Sequence, residues 1–105
     1  MDPIVEEIQK LRRAKSAWYR YQQERYAYKT GRSDEFPQRP AVDIYALEKQ
    51  YPRADAYLTA ELWSNSDHPI RAGLGHDAME RILSGEDYTE VIERMHRAWT
   101  ATKEG

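Results

Sequence analysis

The chain has no cysteine among its 105 residues and a single phenylalanine, so disulfides and thiolate metal sites are excluded and aromatic burial rests on tyrosine and tryptophan. No apolar run approaches the ~18 residues needed to span a bilayer. The opening "MDPIVEEIQKLRRAK" lacks the basic-then-apolar order of a signal peptide, so neither a membrane protein nor a secreted one is expected, and a cytoplasmic setting is compatible. Valine, isoleucine and threonine are sparse and never alternate with polar residues over a useful length, which removes the pattern of a strand. Nucleophile signatures of the Ser or Cys type are missing, and no carboxylate pair stands out for acid/base work. What remains is 40% apolar and 32% charged, too apolar for a disordered chain and charged enough to cover a soluble one. One small domain at most can be built from it.

The net charge of −2 hides an asymmetry. Residues 1 to 32 carry eight Lys/Arg against four Asp/Glu, a balance of +4, and residues 33 to 105 carry −6. The basic end can steer an anionic partner or lie against the acidic remainder of its own chain.

Helical spacing recurs throughout. A first helix is predicted from Asp2 as N-cap, with Pro3 at the first helical position, to a stop at Gly31. Residues 32 to 42, "RSDEFPQRPAV", hold two prolines and read as an extended connector anchored by Phe36. Asp43 can cap a short helix to Gln50, and Pro52 restarts one in "YPRADAYLTAELW". Ser66 or Asp67 should cap the next helix, which ends at Gly85, and Asp87 with Glu90 should open the last. In those two helices Ile70, Leu74, Ala78 and Ile82, with Met79 and Leu83 beside them, face Tyr88, Val91, Ile92, Met95 and Trp99 as an antiparallel hairpin.

The stretch "YRYQQERYAYKTGR", residues 19 to 32, sets four tyrosines among cations. At 100° per residue Ile4, Ile8, Leu11, Trp18, Tyr19 and Tyr26 share one face, with Val5 at its edge, so Tyr19 and Tyr26 are expected in the core. Tyr21, Arg25, Tyr28 and Arg32 follow the i, i+4, i+7, i+11 rule on the opposite side. That second face suits a protein interface, stacking on nucleobases, or burial beneath a connector that folds back over it. Lys15 and Gln22 interrupt the apolar face: the lysine as an edge position with its ammonium paired to a carboxylate, or both as a polar seam between subunits.

Two motifs imitate chemistry. "GLGHDA", residues 73 to 78, matches G-x-G-x-x-G/A but lacks the preceding strand, and Gly73 and Gly75 read better as places where another helix comes close, with a local kink as the second reading. His76, Asp77 and Glu80 put potential ligands on one helix face without a third partner in view. The acidic residues of the second half could together imitate DNA, but arginines are interspersed among them.

"YPRADAYLTAELW" and "GHDAMERILSGEDYTEVIERM" resemble a family of small, uncharacterised proteins carried by prophages and conjugative elements of Gram-positive bacteria. The resemblance covers residues 51 to 99. It implies a helical fold and a mobile-element context, and brings no catalytic residues.

The expected architecture is an all-α single domain of four or five helices, a long N-terminal helix packed on a C-terminal helical hairpin. It divides into a basic-aromatic helix (1 to 32), a connector (33 to 42) and an acidic helical body (43 to 102). The expected function is that of a non-enzymatic protein-binding module of phage or mobile-element origin, without cofactor or metal. It would dock on a host protein, such as a defence machine, as inhibitor or modulator through Tyr21, Arg25, Tyr28 and Arg32. A second reading is a nucleic-acid-binding accessory protein that adds Arg12, Arg13 and Arg20. A third makes the exposed aromatics the self-interface of a homo-oligomer.

Overall fold

Two helices end in the same glycine-dependent way. Gly31 (φ 77°) and Gly85 (φ 96°) take the left-handed backbone that a side chain disfavours. That turn sends the N–H of Arg32 to the Ala27 carbonyl (2.8 Å) and of Glu86 to the Arg81 carbonyl (3.1 Å), while the glycine N–H groups bond Tyr28 and Ile82. Both stops fall where the sequence puts them. The computed structural model describes residues 3 to 104 and is all-α: α1 (Ile4–Lys29), α2 (Ile44–Gln50), α3 (Pro52–Ser64), α4 (Pro69–Leu83) and α5 (Tyr88–Glu104). Among the described residues there is no strand. The expected cap at Asp2 lies outside them.

Asp43 caps α2 as expected, its Oδ1 accepting from the Ala46 N–H at 3.1 Å. Tyr51 alone separates α2 from α3, because Pro52 cannot continue a helix but can begin one. The start of α4 differs from expectation. His68 is its N-cap and gives no side-chain bond, while Ser66 Oγ accepts from the His68 N–H at 3.2 Å, one step outside the helix. Asp87 accepts from Thr89 N–H (3.0 Å) at the start of α5, and Glu90 turns instead to Arg94 (3.5 Å).

The chain forms two compact units, residues 3 to 51 with α1 and α2, and residues 52 to 104 with α3, α4 and α5. The division groups α2 with α1. In the second unit α3 packs most closely on α4, and α5 on both. Its core holds Ala54, Ala60, Trp63, Ala78, Ile82, Val91 and Met95. Small residues on α3 let the backbones meet. A Cβ at Gly75 would lie 2.5 Å from the Ala60 carbonyl oxygen and 2.9 Å from the Trp63 carbonyl carbon, with Ser64 N also in the way. The expectation of close approach therefore holds for Gly75 and fails for Gly73, whose Cβ would meet nothing within 4 Å. Ile70 and Leu83, expected on or beside the packed face, are exposed because each stands about 100° to one side of the face that carries Gly75, Ala78 and Ile82. Arg53, from the Tyr-Pro-Arg start of α3, donates to the Ile82 carbonyl at 2.8 Å and ties that start to the last turn of α4.

At the α4–α5 turn Arg81 bonds Asp77 (2.8 Å) and reaches Glu86 (3.3 Å). The hydrogen bond it donates to Asp77, the charge of Asp77 and that of Glu86 raise the Arg81 pKa above its ordinary value.

Two glycine substitutions should move stability in opposite directions. Gly75→Ala should cost about 1–3 kcal/mol, because α3 backbone has to shift. Gly73→Ala should add about 0.5–1 kcal/mol by removing backbone entropy from a helix interior. Thermal unfolding of the two variants reads the difference, and equal effects would refute the close approach.

Candidate functional site

Helix α1 buries Ile4, Ile8, Leu11 and Ala14 in its first half. Beyond Ala14 the contacts continue through Trp18, Tyr21 and Tyr28, alternating three- and four-residue steps once position 25 is counted. That spacing averages 3.5 residues and drifts about 20° per heptad round a helix of 3.6. The contact line thus moves away from Tyr19 and Tyr26 as the helix lengthens. Both were expected in the core, and both are exposed, at 63% and 62%.

Tyr21 and Tyr28 are turned toward the connector, which folds back along α1. The Trp18 indole N–H donates to the Val42 carbonyl at 2.8 Å, and the Arg39 guanidinium lies 5.4 Å from the centre of the Trp18 ring. Tyr21 meets Trp18 edge to face at 5.7 Å. Phe36, the expected anchor, meets Tyr28 in the same way at 5.2 Å, with Pro37 buried beside it in sequence. Folding back over the tyrosines is therefore realised: Tyr21 is half-buried, while Tyr28, Arg25 and Arg32 keep access to solvent. Lys15 behaves as an edge residue, with its ammonium 3.6 Å from Glu48 of α2.

The structure assembles a surface that sequence reasoning missed. Tyr19, Gln22, Gln23, Tyr26, Ala27 and Arg32 line a depression of about 420 Å³. Trp18, Gln22, Arg39 and the stretch from Pro40 to Tyr45 line a second of about 530 Å³. Gln22 lines both. Tyr45 stands at the far end, 75% exposed. The missed signal was Trp18, seven positions after Leu11: a heptad step there would have shifted the inner face away from Tyr19.

Of the other candidates, Arg13 and Arg20 are exposed and, seven positions apart, share a side of α1, whereas Arg12 lies roughly 100° away. The Arg13 Nε–H turns back to the Gln9 carbonyl at 3.4 Å. Residues 73 to 78 lie in the middle of α4, so no strand-to-helix turn exists there to hold a pyrophosphate. Asp77 is engaged by Arg81, and among the described residues no three His, Asp or Glu side chains are grouped to hold a metal ion. No described helix is long and apolar enough to cross a membrane. In comparisons with known proteins the chain matches no family model, no curated protein and no solved structure.

Removing the Trp18 indole donor tests how the surface is held. Trp18→Phe leaves a ring for Tyr21 but strips the Val42 carbonyl of its donor, a loss of about 1 kcal/mol. Amides from 36 to 43 should then exchange with solvent about fivefold faster. Unchanged exchange there would show that the connector is held by something else.

Proposed function

We propose that this chain is a non-enzymatic protein-binding module that docks through the tyrosine-rich side of α1. The observation that carries this reading is the exposure of Tyr19 and Tyr26 beside Gln22, Gln23 and Arg32 around one depression, with a second depression lined by Gln22, Arg39 and the exposed Tyr45. Tyrosine offers a large amphipathic contact at small cost in side-chain entropy, and arginine adds directed donors; both are enriched at the energetic centres of protein interfaces. Glutamines between them supply adaptable hydrogen bonds. Arg25 and Tyr28 extend the face on the connector side.

The resemblance of residues 51 to 99 to proteins of prophages and conjugative elements supports a mobile-element setting. In that setting the target is a host protein, and docking inhibits or modulates the machine to which it belongs.

A pull-down from nuclease-treated host lysate, comparing the wild type with Tyr19→Ala/Tyr26→Ala, tests the reading. A protein should be retained by the wild type at raised salt and reduced at least about tenfold by the double change. Retention that disappears with nuclease, falls steeply with salt and is reduced by Arg13→Ala/Arg20→Ala would replace this reading with nucleic-acid binding. Capture of the same chain alone would make the face a self-interface.

A further inference from the structure

Residues 52 to 105 hold six Lys/Arg against ten Asp/Glu, and their arginines are mostly occupied. Arg53 donates to the Ile82 carbonyl, Arg81 to Asp77, and Arg94 and Arg97 pair with Glu90 and Glu93. Arg71 differs. Among the described residues it has no acceptor, and its Nε is buried without a hydrogen bond. Its guanidinium lies 4.7 Å from the Trp63 ring centre and 5.9 Å from that of Trp99. Lys103 Nζ lies 5.3 Å from the Trp99 ring, His68 stands edge-on to the same ring at 4.9 Å, and His96 stands edge-on to Trp63 at 4.9 Å.

An arginine stacked on indole faces uses its π surface for packing and keeps its in-plane N–H groups for an oxyanion. The enclosed Nε cannot itself meet a ligand; on a side chain that keeps partial exposure, the terminal N–H groups are the ones open to an acceptor. Carboxylates are abundant in this unit, yet none reaches Arg71 among the described residues. We propose that Arg71 is the centre of a phosphate-binding site on the Trp63–Trp99 platform, with Lys103 contributing a second positive charge. The ligand is a phosphate dianion, free or as a monoester. This site is independent of the tyrosine face.

The three tryptophans give three indole N–H signals in a ¹H–¹⁵N spectrum, and Trp18, bonded to Val42 in the other unit, is the internal reference. Titrated with inorganic phosphate at constant ionic strength, the Trp63 and Trp99 signals and the Arg71 Nε–H should shift saturably, and Trp18 should not. Glycerol 3-phosphate in a parallel titration separates the sources: tighter binding assigns an esterified phosphate, equal binding the free ion. Arg71→Gln should weaken binding at least about tenfold. Lys103→Met, at an exposed position that leaves the Arg71 stack in place, should weaken it about threefold. Absence of saturation in the wild type, equal shifts with chloride or acetate, or full affinity in both variants would overturn the site.

Discussion

The absence of a side chain at Gly75 sets the geometry of residues 52 to 104. Because the α3 backbone occupies the space where a Cβ would stand, α4 is held against Ala60 and the end of α3. The same face of α4 runs through positions 71, 75, 78 and 82, so the approach at Gly75 fixes what its neighbours meet. One turn later Ala78, and then Ile82, enter the core. One turn earlier Arg71 is carried over Trp63, a residue too large to lie in the tight part of the contact and so turned toward α5. An arginine on two indoles is in this sense a consequence of a glycine. Packing of small residues buries little apolar area per residue, which places the weight of the core on Leu58, Trp63, Ile82, Val91 and Met95.

Residues 3 to 51 solve a different problem. A helix of 26 residues, about 39 Å long, has more surface than a seven-residue α2 can cover. The connector supplies the remainder. Trp18 fastens it by one hydrogen bond and one cation–π contact, while the exposed Phe36 and Tyr28 rings meet edge to face farther along. An indole suits this place because its single N–H can satisfy a carbonyl that leaves the connector otherwise without a partner, while its ring packs. The side of α1 away from these contacts is left open from Tyr19 to Arg32.

Most element boundaries were legible in the sequence, since they depend on local chemistry. Asp43 caps, Pro52 restarts, and Gly31 and Gly85 take a backbone that other residues avoid; none needs knowledge of a distant partner. The failures lie where position along a face had to be extrapolated. A fixed angle of 100° per residue is adequate over the four or so turns of α4, yet over α1 a contact line of period 3.5 departs from it enough to exchange Tyr19 for Tyr21. Ile70 and Leu83 fail because each stands one residue, about 100°, to either side of the face through positions 71, 75, 78 and 82. The pairing of Gly75 with α3, and of Arg71 with two indoles from different helices, was not legible, because it depends on which helices meet. Composition suggested close approach somewhere in "GLGHDA", and only tertiary packing distinguished Gly75 from Gly73.

The aromatic residues are divided by kind, and the division bears on function. The three tryptophans face inward or are half-buried, each matched to a cation or an acceptor. The large aromatics left most open are tyrosines, whose hydroxyl tolerates water. At positions 19 and 26, on a helix face turned to solvent, a lysine, glutamine or glutamate would favour the helix more than a tyrosine does. The Gln23 to Tyr19 hydroxyl bond, at 2.7 Å but exposed, repays little of that preference. Tyr45, in the first turn of α2, is in the same position. Aromatic side chains that fold stability does not require gain their return only when a partner removes them from water.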